Sequence, residues 1–160
     1  MEEIYFAFNP WWEGKEFDCG IFRENYLNNF EKFFKRKQIE IIIGSRRIGK
    51  TTILKQLVKR QLKQKLPAKE VLYLALDHPQ LSKMPLSEHL KFYRKLFLHD
   101  RHKKLLLFLD EVQESPNWEA ELKSLYDLEN VKLICTGSTS SLIKSQGSKL
   151  TGRQIVNTIY

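Results

Sequence analysis

The chain has 160 residues, enough for one domain with a substantial core. It is 42% hydrophobic and 29% charged with few glycines or prolines, which excludes fibrous and disordered classes. No apolar run approaches the roughly 18 residues of a membrane span, and Met1-Glu2-Glu3-Ile4 lacks the basic start of a secretory signal, so a cytoplasmic protein without membrane contact is expected.

The net charge of +8 permits contact with nucleic acid. Residues such as Lys55, Lys59, Lys63 and Lys65 are spread along helix faces, however, where solvated lysines are the commoner arrangement. The two cysteines, Cys19 and Cys135, have no metal-ligand spacing and read as isolated, reduced thiols.

Residues 1–37 form an N-terminal segment rich in aromatics, and 38–160 form the rest of a single core. Tyr5, Phe6, Phe8, Trp11, Trp12, Phe17 and Phe22 crowd the first 22 positions. Asn9-Pro10-Trp11-Trp12 reads as an extended or turn segment, because Pro10 disfavours helix at Asn9. These rings either cover one edge of the core or offer one face to an adenine base. From Arg23 to Lys37, Tyr26, Leu27, Phe30, Phe33 and Phe34 recur at helical spacing.

Ile39–Ile43 is an apolar run that reads as a buried strand. It leads into Gly44-Ser45-Arg46-Arg47-Ile48-Gly49-Lys50-Thr51, which matches the phosphate-binding P-loop G-x-x-x-x-G-K-[ST]. Gly44 and Gly49 let the backbone curl so that successive N–H groups, those of Arg46 to Thr51, converge on phosphate oxygens, and the nucleotide-binding residues are Gly44, Ser45, Arg46, Arg47, Ile48, Gly49, Lys50, Thr51 and Thr52. The helix behind the loop adds the positive end of its dipole. Lys50 reaches the β- and γ-phosphates, and the Thr51 hydroxyl is offered to Mg²⁺. Arg46 and Arg47 face phosphate, solvent or a partner.

A helix is expected from Lys50 to Leu66, with Ile53, Leu54, Leu57, Val58 and Leu62 on one stripe and Pro67 ending it. Val71–Leu76 is continuously apolar, hence a strand covered on both faces. His78 beside Pro79 reads as a loop residue more readily than as a base. His89, His99 and His102 lack the spacing of a zinc site. Leu86–Leu98 reads as a helix.

Leu105–Leu109 is a buried strand ending in Asp110-Glu111, the pattern of a Walker B element. Asp110 holds Mg²⁺ and its waters, and Glu111 polarises the attacking water. Ser115-Pro116 reads as a helix start, with serine as N-cap. Val131–Ser138 is a further strand with a polar tip, where Thr136 and Ser138 are both candidates to sense the γ-phosphate. Ser140–Lys144 reads as a short helix, Gln146–Lys149 as a loop, Leu150–Arg153 as a turn and Gln154–Tyr160 as a fifth strand.

No Asn-Lys-x-Asp base-specificity motif of a GTPase is present, and small-molecule kinases do not normally carry the Asp-Glu pair. Taken together, Asn9-Pro10-Trp11-Trp12, Gly44–Thr52, Leu109-Asp110-Glu111-Val112-Gln113, Trp118 with Leu122–Asp127, Thr136-Gly137-Ser138 and Leu150–Arg153 resemble the prokaryotic AAA+ ATP-binding proteins of the AAA_14-like, archaeal ATPase group. The resemblance covers nearly the whole chain.

It implies a three-layer α/β P-loop NTPase sandwich with a mostly parallel sheet of order 5-1-4-3-2, and ATP with Mg²⁺ as ligands. The implied activity is ATP hydrolysis coupled to conformational switching. Two alternatives are a nucleotide-binding module with little turnover and a DNA-handling ATPase. Arg153 is then either an arginine finger for a neighbouring subunit or a surface turn residue. Members of the group usually continue with a helical lid and a C-terminal domain, so the expectation is a core lacking both. Its partners would be further copies, a missing domain or a client protein.

Overall fold

The computed structural model describes residues 1–140 and 150–160. The expected helix beyond Ser140 and the loop to Lys149 lie outside the described residues. Five strands, β1 (Ile39–Gly44), β2 (Val71–Ala75), β3 (Leu105–Asp110), β4 (Val131–Ser138) and β5 (Gln154–Thr158), form one sheet. Its order is β2-β3-β4-β1-β5, and every pairing is parallel. This is the order expected from the resemblance. Every residue of β2 and β3 is buried, as a central parallel sheet demands of its Leu- and Val-rich runs.

Five α-helices lie among the described residues: α1 (Glu2–Phe8), α2 (Glu24–Phe30), α3 (Lys50–Lys63), α4 (Leu86–Phe97) and α5 (Trp118–Leu128). The β1→β2 crossover runs across the sheet in one direction, whereas β2→β3 and β3→β4 run in the other. Right-handed connections therefore put α3 on one face and α4 with α5 on the opposite face. The contacts agree: α2 packs on α3, α4 on α5, and α3 on β1, β3 and β4. Ile53, Leu54, Leu57 and Val58 of α3 are all buried against the sheet. The helix ends three residues before the expected Leu66, with Pro67 beyond it.

The structure departs from the sequence expectations in three places. The N-terminus opens with α1, for which no helix was expected, and of the extended and turn alternatives for Asn9–Trp12 the chain takes the turn, a 3₁₀ turn over Pro10–Glu13. The single helix expected over 23–37 is α2 followed by a 3₁₀ turn over Glu31–Lys35. The tighter winding eclipses residues three apart, and it stacks the rings of Phe30 and Phe33 at 4.4 Å. Ser115 is not an N-cap. It follows a 3₁₀ turn over Val112–Glu114 and gives its N–H to the Val112 carbonyl. The helix restarts only after Asn117, which takes the left-handed conformation (φ 50°) that asparagine tolerates better than most residues.

β2 is an edge strand, and side chains from the N-terminal segment occupy its open edge. The buried indoles of Trp11 and Trp12 both donate Nε1–H to the Val71 carbonyl, at 3.0 and 2.9 Å. Asn9 accepts from Tyr73 N–H at 2.7 Å and donates to Tyr73 O at 3.0 Å, imitating one rung of a ladder. An edge closed in this way offers no template to another strand. Of the two roles considered for the aromatic segment, Trp11 and Trp12 take the packing role, since Val71 begins β2 at the end of the sheet away from the P-loop.

At that same end a buried carboxylate ties the sheet together. Glu40 of β1 accepts two bonds from Arg36 (2.7 and 2.6 Å) and one from Lys132 of β4 (2.9 Å). Lys132 also donates to the Arg36 and Gln38 carbonyls. Burial alone would raise the Glu40 carboxyl, but the bonds from Arg36 and Lys132 outweigh it and hold the group below the ordinary carboxylate range.

Candidate nucleotide-binding site

The C-terminal ends of β1, β3 and β4 lie side by side, where open parallel sheets collect ligands. β1 ends at Gly44, the chain turns through residues 45–49, and α3 begins at Lys50. Gly49 holds φ +99°, a conformation that L side chains rarely adopt. Gly44 is needed for space. A Cβ there would stand 2.9 Å from Ile48 Cγ2 and 3.1 Å from the Ile159 carbonyl oxygen. No side chain caps the start of α3, so its first N–H groups face the loop, as an anion site requires. Arg46 and Arg47 are exposed.

The Lys50 side chain is buried and curls back into the loop, donating to Gly44 O at 2.9 Å and Ser45 O at 3.0 Å. Arg23 braces the outside of the turn through a 2.8 Å bond to Ile48 O. Gln56, one turn beyond Thr52 on α3, donates to the Cys19 and Ile21 carbonyls and accepts from Arg23 N–H, strapping residues 19–23 beside Thr52.

Three hydroxyls, one each from α3, β2 and β4, meet at the carboxylate of Asp110. Its Oδ2 accepts the Thr51 hydroxyl at 2.7 Å and the Tyr73 hydroxyl at 2.7 Å. Its Oδ1 accepts the Thr136 hydroxyl at 2.5 Å, and Thr136 Oγ1 in turn accepts Glu111 N–H at 3.0 Å. Glu111 sits in the left-handed region (φ 54°), which breaks β3 after Asp110 and turns the carboxylate aside to accept from Gln113 at 2.5 Å. Thr136 is fully buried and pairs in register with Ile42, whereas Ser138 stands at the strand tip opposite Gly44. The Thr51 hydroxyl and Asp110 carboxylate are hard oxygen donors of the kind Mg²⁺ takes.

The residues singled out in the P-loop, Asp110, Glu111, Thr136 and Ser138 thus share one corner. Arg153 does not. Its carbonyl accepts Ile39 N–H at the opposite end of β1, about 16 Å along the strand from Gly44. Its guanidinium pairs with Asp127 of α5 at 3.0 and 3.3 Å. His78 accepts Gln80 N–H through Nδ1 and packs on Phe8, a turn-forming role.

Sequence reasoning missed Tyr73, Gln56 and Arg23, and it singled out Asn9 only within the Asn9-Pro10-Trp11-Trp12 stretch, without its bonds to Tyr73. A tyrosine inside an otherwise apolar strand does need a partner for its hydroxyl, and that was the available signal for Tyr73.

A five-stranded parallel sheet with the strand order and loop described here is the fold of AAA+ P-loop NTPases. The chain belongs to the AAA domain family AAA_14, whose profile matches residues 36–160. A Methanocaldococcus jannaschii protein of uncharacterised function is 34% identical over 92% of this chain. A Haemophilus influenzae protein, also uncharacterised, is 26% identical over 88%. The chain spans about a third of the length of these relatives, 31% and 35% respectively.

Among solved structures, the Saccharomyces cerevisiae Hsp104–ADP complex superposes with a TM-score of 0.65 at 18% identity, covering 97% of this chain and 23% of that one. Caenorhabditis elegans PCH-2 follows at 0.52 and 16%, covering 86% and 40%. Both share the fold. Membership of an AAA+ family implies nucleotide binding and hydrolysis in general terms. No helix among the described residues is long and apolar enough to cross a membrane.

Proposed function

We propose that this chain binds ATP and hydrolyses it with Mg²⁺, as the core of a conformational switch. The observation that carries this reading is the carboxylate of Asp110, which joins the P-loop threonine to Thr136 of β4 and stands beside Glu111. Backbone N–H groups of Arg46 to Thr51 cradle the phosphates. Lys50 leaves the Gly44 and Ser45 carbonyls to meet the β- and γ-oxygens, exchanging two neutral acceptors for charged ones. Thr51 and Asp110 hold Mg²⁺, which would supply charge neutralisation at the transferring phosphoryl group.

Glu111 positions the attacking water and accepts its proton. Its main chain is anchored by Thr136, so Thr136 sets the aim of the base. Ser138, level with Gly44, is the better placed of the two for contact with the γ-phosphate. Arg153 lies too far from this chain's own loop to act on it, so any finger role would be played in a neighbouring copy.

Phosphate release by the purified protein tests the reading. Lys50→Ala should abolish measurable binding of a fluorescent ATP analogue. Glu111→Gln should keep binding within a few-fold and lower phosphate release by about 100-fold or more. Tight binding with no release from the unaltered protein above the Glu111→Gln level would reduce the function to nucleotide binding alone.

A further inference from the structure

Asn9 does more than close an edge. Its side-chain amide is fully buried and fully used: Oδ1 accepts Tyr73 N–H, and Nδ2 donates to Tyr73 O and to Tyr5 O at 2.8 Å. Both main-chain groups of Tyr73 that face the open edge are thereby held. Tyr73 is the central residue of β2, and its hydroxyl reaches across to β3, donating to Asp110 Oδ2. That is the same oxygen that accepts Thr51. The ring neighbours that of Phe8, 6.3 Å between centroids, and the Lys55 ammonium stands 5.7 Å from its centroid.

A carboxylate turns easily about its terminal torsion. Three hydroxyls pin this one: Thr51 and Tyr73 on Oδ2, and Thr136 on Oδ1. Thr51 is the one that must also serve the metal. We infer that Tyr73, set in place by Asn9, is a positioning residue that orients Asp110 for Mg²⁺ and so tunes metal-dependent nucleotide binding. The inference rests on the proposed roles of Thr51 and Asp110. It gives the N-terminal Asn-Pro-Trp-Trp stretch a route to the site that does not require any of its residues to touch nucleotide.

Tyr73→Phe removes only the hydroxyl and keeps the ring that fills the space. The full chain carrying it is titrated with Mg²⁺ in the presence of N-methylanthraniloyl-ATP, alongside the unaltered chain. The midpoint in Mg²⁺ should rise by about tenfold, as when a partner of a metal ligand is lost. Affinity in EDTA should stay within about twofold of the unaltered chain, because an orienting role acts only when metal is present. An unchanged Mg²⁺ midpoint in Tyr73→Phe, with normal Mg²⁺ dependence in the unaltered chain, overturns the inference alone. So does an equal loss of affinity with and without metal, which marks a packing defect. An unaltered chain that binds the analogue equally in Mg²⁺ and EDTA overturns both the inference and the metal-ligand reading beneath it.

Discussion

At the scale of single residues, several buried polar groups are satisfied only by groups distant in sequence, and each of these is a point of fragility. Asn9 is the clearest case. Replacing its amide with a carboxylate keeps the shape but removes both donors, leaving a buried negative charge against the Tyr5 and Tyr73 carbonyl oxygens. Asn9→Asp is therefore expected to cost about 3 kcal/mol or more, read as a lowered midpoint in urea unfolding. The motif was visible in the sequence, but its job was not. Nothing local says that an asparagine 64 residues before Tyr73 will complete the edge of that residue's strand.

At the scale of elements, the strand–loop–helix unit at residues 39–63 is the most exacting. Gly44 is hemmed in by Ile48 on the loop and by Ile159 just past β5, whose N–H also bonds Ile43 O. One added methyl must displace the Ile159 main chain or push the loop open. Gly44→Ala should cost about 1–3 kcal/mol. It should also weaken nucleotide binding more than any comparable Gly→Ala change outside the loop, a comparison that calorimetric titration with ATP can make. This unit was legible because its parts are contiguous: an apolar run, two spaced glycines, a lysine and an amphipathic helix each act within a few residues. The boundaries of α2 and α5 were not, since ring stacking at Phe30–Phe33 and the turn after Glu111 override the periodic pattern.

At the scale of the whole molecule, stability should fall towards acid pH in two stages. His89 is buried between Tyr5 and Leu81. The Leu81 carbonyl accepts a hydrogen bond from Nε2–H at 2.9 Å, and Nδ1 accepts one from the Tyr5 hydroxyl. Burial holds His89, and likewise His99, below the ordinary imidazole range. The unfolded chain therefore takes up these protons first, and stability declines as pH drops below about 6.5. Glu40, also depressed in the fold, contributes fully above about pH 4.3 and loses its contribution as pH falls through its lower folded value. Glu40→Gln strands Lys132 and Arg36 without their counter-charge and should cost about 3 kcal/mol at neutral pH. Its urea midpoint should then vary less than that of the unaltered chain across the lower stage.

The sequence by itself determined the P-loop, the Asp110-Glu111 pair and the alternation of buried strands with amphipathic helices, because loop curvature, strand burial and helix amphipathicity are short-range consequences of residue order, while the parallel strand order came from the family resemblance. Tertiary structure alone decided which groups surround Asp110, what closes the edge of β2, and that Arg153 stands at the far end of the sheet from the P-loop. Those outcomes depend on which strands become neighbours. A hydroxyl on β2 can serve a carboxylate on β3 only after a sheet assembled across the chain has brought the two within 2.7 Å.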